Sequence, residues 1–361
     1  MPSLEIRGLS QGGRPNRDFR SALEPLSVYV CCFFWSAPVL RTAGWTMLHQ
    51  VSTFTAKIEQ RLRSSLKRVR KRLTPQKHPK RAGSKDSKEL LQRSRDLLAE
   101  MRAIGAEIIV PCGDHVMRVP ADKLTRLIVR KQGYQRDIFQ RAIALAEETG
   151  GLHAGAALLD IGANIGMHTL YGHLSGRFSR VVSVEASARN FRFLESNVRE
   201  NGYDDKTSTI HCAGGRTAGV AKLSRDPTNG LRASLVKRKG RDETGFEVES
   251  VGVRPVDSIL ADLHLEPNAV GMSWIDVMGF EIEVLAGMPR VIAVGRPLAL
   301  EYSNGWVGAD DKQEMFDLLR QGPYSAFIDL KADELRWRPL ADIRNFSVPW
   351  TNLLVVSEVR T

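Results

Sequence analysis

From residue 156 onward, short apolar runs alternate with segments whose apolar residues recur every three or four positions. The runs predict strands at 156–161, 180–185, 208–213, 271–276 and 296–302. The periodic segments predict helices at 165–174, 188–201, 281–292 and 310–320. Alternation of this kind is typical of a parallel sheet covered by helices. Two last apolar runs, Ser325–Leu330 and Asn352–Ser357, are separated by a loop rather than by a helix, which predicts a final antiparallel hairpin.

The first 150 residues follow a different pattern. Residues 1–53 contain no clear period over 1–46, no apolar run of the roughly 20 residues that a membrane span requires, and no convincing signal-peptide cleavage site. We expect a poorly structured extension there, and Met47 stays open as an alternative start. A basic amphipathic helix and linker are predicted at 54–85, followed at 86–150 by a cap with helices at 87–104 and 134–148 and a hairpin at 108–119. Residues 151–361 would form the main domain, with an antiparallel excursion between Val220 and Val253.

Positive charge is concentrated in one segment of the chain. The net charge is +11, and residues 57–85 hold twelve Lys and Arg against one Glu, so the rest of the chain is balanced. An apolar stripe runs through 54–73 between these cations, which indicates either a helix on an anionic membrane surface or one that packs on its own protein. Nucleic acid fits less well because no aromatic residues are interleaved. Four cysteines without a C-x-x-C pair indicate neither zinc nor a disulfide framework, so we expect a cytoplasmic protein.

The densest motif is a glycine turn after the first predicted strand of the main domain. It reads Leu158-Leu159-Asp160-Ile161-Gly162-Ala163-Asn164-Ile165-Gly166, an apolar run that ends on an acidic residue and leads into a predicted helix. Glycine lets a ligand approach the backbone, and a helix N-terminus favours anionic groups. The spacing is Asp-x-Gly-x-x-x-Gly rather than the G-x-G-x-x-G of dinucleotide sites, which counts against NAD. A plain tight turn stays open as the structural alternative.

A second carboxylate falls in register with this turn. Glu185 ends the apolar run Val181-Val182-Ser183-Val184, one predicted strand after Asp160. A carboxylate at that place can accept hydrogen bonds from both ribose hydroxyls of an adenosine. The turn together with Glu185 resembles the cofactor motifs of class I methyltransferases that use S-adenosylmethionine.

The other dense motif reads Trp274-Ile275-Asp276-Val277-Met278-Gly279-Phe280-Glu281-Ile282-Glu283-Val284-Leu285-Ala286-Gly287. Asp276 ends an apolar strand, and ligands of open α/β sheets bind at the carboxyl ends of strands. This stretch resembles the motif of the FkbM family of methyltransferases. Val256-Asp257-Ser258-Ile259-Leu260 and Arg296-Pro297-Leu298-Ala299-Leu300-Glu301 add to the resemblance, which covers about residues 155–357. Two departures are Trp274, where the family commonly has lysine, and Met278, where it commonly has an acidic residue.

The resemblance implies a doubly wound, seven-stranded, Rossmann-like sheet of the class I methyltransferase type with an antiparallel last strand, preceded here by the N-terminal helical extension. It implies S-adenosyl-L-methionine as cofactor, with contacts from Asp160, Gly162, Ala163, Asn164, Gly166, Glu185 and Ala186. No metal site is expected.

An alcohol acceptor must lose a proton as the methyl bond forms, so a nearby carboxylate or histidine would help. Asp276 is the first choice for this base, Glu281 the second and Glu301 the third, while His168 is a further option. The structural alternative for Asp276 is a turn cap at a strand end, and Glu301 could be merely solvated or capping.

These observations predict O-methylation of a hydroxyl on a saccharide, a glycolipid or a related small molecule. Expected partners are that acceptor and, through 54–73, an anionic inner membrane surface, but not nucleic acid. Two other functions stay open: a cofactor-binding protein without methyl transfer, motivated by Trp274 and Met278, and an NAD-dependent oxidoreductase.

Overall fold

The computed structural model describes residues 84–131, 133–236, 243–305 and 307–359. The extension predicted at 1–53 and the basic helix predicted at 54–73 lie outside the described residues. No helix within the described part of the chain combines the length and apolarity needed to cross a membrane.

Fourteen strands and nine α-helices are present in the described residues. The strands are β1 Glu107–Pro111, β2 Val116–Pro120, β3 Ala157–Ile161, β4 Arg180–Glu185, β5 Thr207–His211, β6 Ala213–Gly214, β7 Gly219–Arg225, β8 Ala233–Ser234, β9 Glu247–Arg254, β10 Val270–Ile275, β11 Leu298–Tyr302, β12 Ala326–Asp329, β13 Arg338–Pro339 and β14 Thr351–Val356. The helices are α1 Ser84–Ala103, α2 Lys123–Lys131, α3 Arg136–Glu148, α4 Met167–Leu174, α5 Ala188–Glu200, α6 Val256–Asp262, α7 Glu281–Ala286, α8 Pro289–Val294 and α9 Ala309–Leu319. Short 3₁₀ turns occupy Asp204–Lys206, Pro267–Ala269 and Leu340–Asn345.

The main sheet has the strand order β13-β12-β14-β11-β10-β3-β4-β5. Neighbouring strands from β11 across to β5 are parallel, whereas β14 is antiparallel to both β11 and β12. The sheet therefore has eight strands rather than seven, and the additional one is the two-residue β13, which pairs with β12. So short a strand leaves almost no periodic signal in the sequence.

The central strands are apolar because helices cover both faces of the sheet. Every residue of β3, β10, β11 and β14 is buried. Successive side chains point to opposite faces, so Leu158 joins one hydrophobic core and Leu159 joins the other. A strand buried on both faces reads as a continuous apolar run, which is why the sequence located these strands.

The hairpin predicted at 108–119 is confirmed as the antiparallel pair β1–β2. Asn197 of α5 and Asn201, the residue directly after α5, attach it to the main domain. The backbone N–H groups of Arg118 and Val116 donate to their side-chain oxygens at 2.6 and 3.0 Å. Helix α2, which follows the hairpin, was not predicted. Its position places Asp122 beside the second, smaller sheet.

The smaller sheet has the order β6-β9-β7-β8, and its antiparallel β7–β9 pair confirms the excursion predicted between Val220 and Val253. The single helix predicted at 281–292 is wrong. It is interrupted after Ala286, because Gly287 packs directly on backbone and Pro289 starts α8. A Cβ on Gly287 would lie 2.1 Å from the carbonyl oxygen of Gly215. The loop before β14 also contains a 3₁₀ turn.

Candidate active site

The glycine turn between β3 and α4 is fixed by the strand beside it. The N–H groups of Gly162 and Ala163 donate to the carbonyl oxygen of Val184 at 2.8 and 3.0 Å. Gly162 and Gly166 have positive φ angles of 84° and 92°, a conformation that disfavours residues with a Cβ. A Cβ on Gly162 would also lie 2.1 Å from the carbonyl oxygen of Asp276. The first glycine is therefore required by contact between the two motif loops.

Glu185 is held at the end of β4 by the turn. Its carboxylate is buried and accepts N–H groups from Asn164 and Ser187, each at 2.8 Å. Burial raises the pKa of Glu185 to about 7, although these two hydrogen bonds act in the opposite direction. Each carboxylate oxygen keeps a lone pair that is not used by the backbone. Glu185 can therefore accept two further hydroxyl groups from a ligand.

Asp160 has a different environment although it belongs to the same motif. Its carboxylate is fully buried and accepts the hydroxyl of Thr169 at 2.7 Å. Desolvation raises the pKa of Asp160 to about 7. Its second oxygen has no hydrogen-bond partner among the described residues, and Asp160 does not line the cavity into which Glu185 faces. Asp160 supports the turn from below, and so does Gly166, which packs on Leu194.

A cavity of about 390 Å³ lies over the carboxyl ends of β3, β4, β10 and β11. Five of the seven predicted cofactor residues line one end of it: Gly162, Ala163, Asn164, Glu185 and Ala186. Cys212, Ala213 and Gly214 continue this wall with small side chains. The other end is lined by Asp276, Glu301, Tyr134 and Trp350. One cavity thus joins the two motifs that the sequence singled out.

Residues 230–235, which contain the short strand β8 of the small sheet, form a further wall of the cavity. The carbonyl oxygen of Gly230 accepts side-chain amide groups from Asn164 at 3.0 Å and Asn190 at 3.4 Å. Its N–H group donates to the carboxylate of Asp122 at 3.0 Å. This wall was not predicted from the sequence. The Asn229-Gly230 pair was a visible turn signal, but nothing in the sequence indicated which strand ends it would face.

The acceptor end of the cavity contains a pair of carboxyl groups. Asp276 and Glu301 are hydrogen-bonded to each other, and burial together with the neighbouring charges of Glu301 and Glu281 raises the pKa of Asp276 well above its usual value. Glu301 is buried and accepts the indole N–H of Trp350, whereas Asp276 is partly exposed to the cavity. Two carboxylates this close hold one proton between them. Asp276 is the more exposed member of the pair and is therefore the one more accessible to a ligand.

Lys331 stands beside this carboxyl pair and was not predicted from the sequence. Its ammonium nitrogen lies 2.8 Å from the ring centroid of Trp350 and has no hydrogen-bond partner among the described residues. Desolvation lowers the pKa of Lys331 to about 8, against the attraction of Asp276 and Glu301. The same positive charge lowers the pKa of Asp276. Lys331 follows β12, far in sequence from either motif, so no spacing rule could have found it.

Glu281 is adjacent to this cluster, but its carboxylate is hydrogen-bonded to the backbone of the loop at 277–279. Its carboxylate accepts the N–H groups of Val277 and Gly279, each at 3.2 Å. Burial and the charge of Glu301 raise the pKa of Glu281 to about 8. Glu281 is not among the residues that line the cavity. The structure thus gives Glu281 the geometry of a cap for residues 277–279, and Met278 takes a positive φ of 54° within that capped loop.

His168 lines the cavity within an aromatic cluster. Its ring centroid lies 4.4 Å from that of Trp274 and 5.6 Å from that of Phe139. Burial and the positive charge of Lys331 lower the pKa of His168 to about 3, so the imidazole is neutral at ordinary pH. Trp274 itself is fully buried. The tryptophan at the position where the family commonly has lysine therefore belongs to the core beneath the site.

The described residues contain no group of three or more His, Cys, Asp or Glu side chains arranged to hold a metal ion. Several polar atoms on or near the cofactor end nevertheless lack partners among the described residues, including the side-chain oxygens of Asn164 and Ser187. Buried polar atoms are rarely left without a partner. The small-residue wall, the spare lone pairs of Glu185 and these oxygens fit the adenosine and amino-acid groups of S-adenosylmethionine.

A mostly parallel sheet that ends in an antiparallel strand, with a glycine turn after β3 and a carboxylate after β4, defines a Rossmann-like fold of the class I methyltransferase type. Residues 160–325 match the model of the methyltransferase FkbM domain. The resemblance predicted from the two motifs is confirmed.

Solved structures that are similar to this chain are distant from it in sequence. A methyltransferase FkbM from Methylobacillus flagellatus KT is 17% identical, with a TM-score of 0.36, over 65% of this chain and 61% of that one. A putative transferase from Pyrococcus horikoshii is 12% identical, with a TM-score of 0.34, over 69% and 72% of the two chains. A geranyl diphosphate C-methyltransferase from Streptomyces coelicolor A3(2), in complex with Mg²⁺, geranyl diphosphate and S-adenosyl-L-homocysteine, is 14% identical, with a TM-score of 0.34, over 61% and 80%. No curated protein matches the chain in sequence.

Proposed function

We propose that this protein transfers the methyl group of S-adenosyl-L-methionine to a hydroxyl group of a saccharide, a glycolipid or a related small molecule. One observation carries the proposal. A hydrogen-bonded pair of carboxyl groups, Asp276 and Glu301, lines the same cavity as the glycine turn and Glu185. A cofactor cradle and a candidate base therefore share one cavity, which is what methyl transfer to an alcohol hydroxyl requires.

The cofactor would be held by main-chain and carboxylate groups. Glu185 accepts the ribose hydroxyls, while Gly162 and Ala163 let the ligand approach the backbone of the turn. The small side chains at 212–214 leave room for a flat ring beside Glu185. When bound, S-adenosylmethionine supplies an electrophilic methyl group on a sulfonium. Alignment of the acceptor with that methyl group is the main contribution of the protein.

The proton of the acceptor hydroxyl would go to the carboxyl pair. An oxygen–hydrogen bond breaks as the new carbon–oxygen bond forms, and Asp276 takes the proton because it is the cavity-facing member. Its raised pKa makes it a stronger base than an ordinary aspartate, provided that it is ionised. The pair must have lost its shared proton before the transfer, and afterwards it holds one proton again, which Glu301 stabilises by accepting a hydrogen bond from Asp276. Glu281 positions the loop, and His168, with a pKa of about 3, is too weak a base for the role.

The residues around Asp276 support a polyhydroxylated acceptor. Tyr134 and Trp350 provide apolar faces against which a sugar ring can pack, and each also carries a polar group. The carboxyl pair provides acceptors for hydroxyl groups. Lys331 places an ammonium group next to Asp276. The site therefore keeps a positive charge, although Trp274 stands where the family commonly has lysine.

The direct test combines cofactor binding with a transfer assay. Purified protein is titrated with S-adenosylmethionine by calorimetry and then incubated with methyl-labelled cofactor and glycan or glycolipid extracts. We expect saturable binding and a labelled product whose mass rises by one methyl group. Asp276→Asn should keep cofactor binding and lose transfer, whereas Asp205→Asn, an exposed carboxylate outside the cavity, should keep both. Absence of cofactor binding by the purified protein would overturn the proposal.

Two other functions make different forecasts for the same assays. A cofactor-binding protein without transfer activity, suggested by Trp274 and Met278, would bind S-adenosylmethionine and yield no product across a broad panel of acceptors. An NAD-dependent oxidoreductase would bind a nicotinamide cofactor in competition with S-adenosylmethionine. The panel of acceptors need not be exhaustive. Mass spectrometry of cell extracts with and without the protein searches directly for a product whose mass is shifted by one methyl group.

The membrane contact predicted for 54–73 is a separate part of the proposal. Its support is the apolar stripe flanked by Lys and Arg in the sequence. The full chain and a variant lacking 54–73 are compared by co-sedimentation with anionic vesicles. Equal binding by the two chains would refute the contact.

A further inference from the structure

A second cleft lies outside the cofactor cavity, where α1, the start of α2 and the turn before Gly230 meet. Its volume is about 370 Å³, and Thr228 lines it together with four basic side chains: Arg95, Arg102, Lys123 and Arg126. The four cations come from two helices that are separate in sequence, so the fold brings them together. Neither the motifs of the sequence nor the proposed methyl transfer uses any of them.

The two carboxylates in the cleft already have partners. Asp122 is buried and accepts the N–H groups of Leu124 at 2.8 Å and Gly230 at 3.0 Å. It also lies 3.5 Å from the guanidinium of Arg189, outside the set of four cations. Asp96 accepts the side-chain amide of Gln92 at 2.8 Å. The cleft therefore keeps an excess of positive charge.

Arg126 gives the strongest indication that a ligand completes this cleft. One of its terminal guanidinium nitrogens, Nη1, is buried and has no hydrogen-bond partner among the described residues. Burying an N–H donor without an acceptor costs free energy, so such donors are usually hydrogen-bonded to a protein group, a water molecule or a ligand. Arg102 lies on the opposite side, where its guanidinium donates to the carbonyl oxygen of Ala121 at 3.3 Å. That bond uses one donor of five and leaves the others for a ligand.

We propose that this cleft binds a phosphate or pyrophosphate group. Planar guanidinium groups match phosphate oxygens in pairs, and a lysine adds a mobile point charge. The phosphate can belong to a soluble molecule or to a lipid headgroup, and the recognition chemistry is the same. The site does not depend on the proposed methyl transfer, because it shares no lining residue with the cofactor cavity.

The occupant of this cleft would sit behind the wall of the cofactor cavity. The N–H of Lys123 donates to the carbonyl oxygen of Thr228 at 3.1 Å, two residues before Gly230, which lines the main cavity. Asp122 holds Gly230 from the same side. One turn is thus shared by the two sites.

The test measures binding of inorganic pyrophosphate to the full chain by calorimetry in a phosphate-free buffer. We expect saturable binding that weakens as salt is added, and a dissociation constant raised at least about tenfold by Arg126→Gln, equivalent to about 1.4 kcal/mol. The matched control is Arg130→Gln, which removes the same charge from an exposed position on the same helix. It should leave the dissociation constant within about twofold. Lys123→Gln, at an exposed residue of the cleft, provides a second variant that should fold normally.

Vesicles of phosphatidylcholine with and without phosphatidic acid then distinguish the two sources. Vesicle binding that requires both phosphatidic acid and Arg126 identifies a headgroup, and pyrophosphate binding that requires Arg126 without such vesicle binding identifies a soluble phosphate. Either result supports the site. Absence of saturable pyrophosphate binding, or equal losses in Arg126→Gln and Arg130→Gln, would overturn it. Binding of S-adenosylmethionine in the same samples tests the proposed function independently.

Discussion

Replacing Glu185 by glutamine tests the cofactor end of the cavity most directly. The carboxylate accepts two backbone N–H groups at 2.8 Å and is proposed to accept two ribose hydroxyls with its remaining lone pairs. Glutamine has nearly the same shape and the same reach. However, its NH₂ group can only donate, so one side of the former carboxylate would face the N–H of Asn164 or Ser187 with the wrong polarity.

The magnitude follows from the groups that lose a partner. A hydrogen bond to a charged group contributes about 1.5–3 kcal/mol, and Glu185→Gln removes one such bond to the ribose. The dissociation constant of S-adenosylmethionine should therefore rise by about ten- to a hundredfold. One buried backbone N–H also loses its acceptor, which should lower the free energy of unfolding by about 1–3 kcal/mol. Because the pKa of Glu185 is about 7, the wild-type affinity should increase as the pH rises through that value.

Calorimetry and denaturant unfolding on the same samples measure both effects. Glu148→Gln, at an exposed position on α3, should change neither the affinity nor the unfolding free energy. The glutamine variant should also lose the increase of affinity with pH near 7. A Glu185→Gln protein that binds S-adenosylmethionine within about twofold of wild type would refute the assignment of Glu185 to the ribose.

Three other substitutions test the loops and the carboxyl pair. An alanine in the left-handed conformation costs about 1–2 kcal/mol. Gly162→Ala should lower the free energy of unfolding by more than this, because the added Cβ would lie 2.1 Å from the carbonyl oxygen of Asp276. Denaturant unfolding measures the loss. The pKa of Glu281 is about 8 in the folded protein against an ordinary value of 4.5, so the folded chain keeps a proton that the unfolded chain loses. The free energy of unfolding of the wild type should therefore fall as the pH rises between these two values, and Glu281→Gln should remove this dependence. Lys331→Met should raise the pKa of Asp276 further and move the acidic limb of kcat/KM to higher pH.

Each of these has its own control. Gly176 also has a positive φ, of 66°, but a Cβ added there would have nothing within 4 Å. If Gly162→Ala and Gly176→Ala lower the free energy of unfolding equally, the contact between the two motif loops is unimportant. Unchanged pH dependence in Glu281→Gln would show that Glu281 is ionised in the folded protein. Lys331→Arg should restore most of the profile, and a profile unaffected by Lys331→Met would remove Lys331 from the site.

The sequence predicted the parts of the fold that depend on local pattern. Strands such as β3 and β10 are buried on both faces, so their apolar runs were visible without knowledge of tertiary contacts. The glycine turn was visible because positive φ angles and close backbone contact both restrict the residue type at Gly162. Glu185 was found because a strand end in a parallel sheet has a defined place relative to the turn before it.

What the sequence did not predict depends on contacts between distant segments. Lys331 and Trp350 reach the carboxyl pair from either side of the loop before β14, and Tyr134 comes from the N-terminal segment. No periodicity connects them to Asp276. Glu281 was proposed as a second catalytic residue because it lies close in sequence to Asp276, whereas its capping bonds to 277–279 can be seen only in three dimensions.

The contact between the glycine turn and the loop that begins at Asp276 fixes the reacting geometry of this site independently of the residues that would select the acceptor. The N–H of Asp276 donates to the carbonyl oxygen of Ile161 at 2.9 Å, and Gly162 packs on the carbonyl of Asp276. The distance from cofactor turn to candidate base is thus set by main-chain atoms, which side-chain changes elsewhere leave untouched. Tyr134 and Trp350 stand on other segments and carry no part of that contact. A lineage could exchange them for new acceptors while the reacting geometry is inherited unchanged.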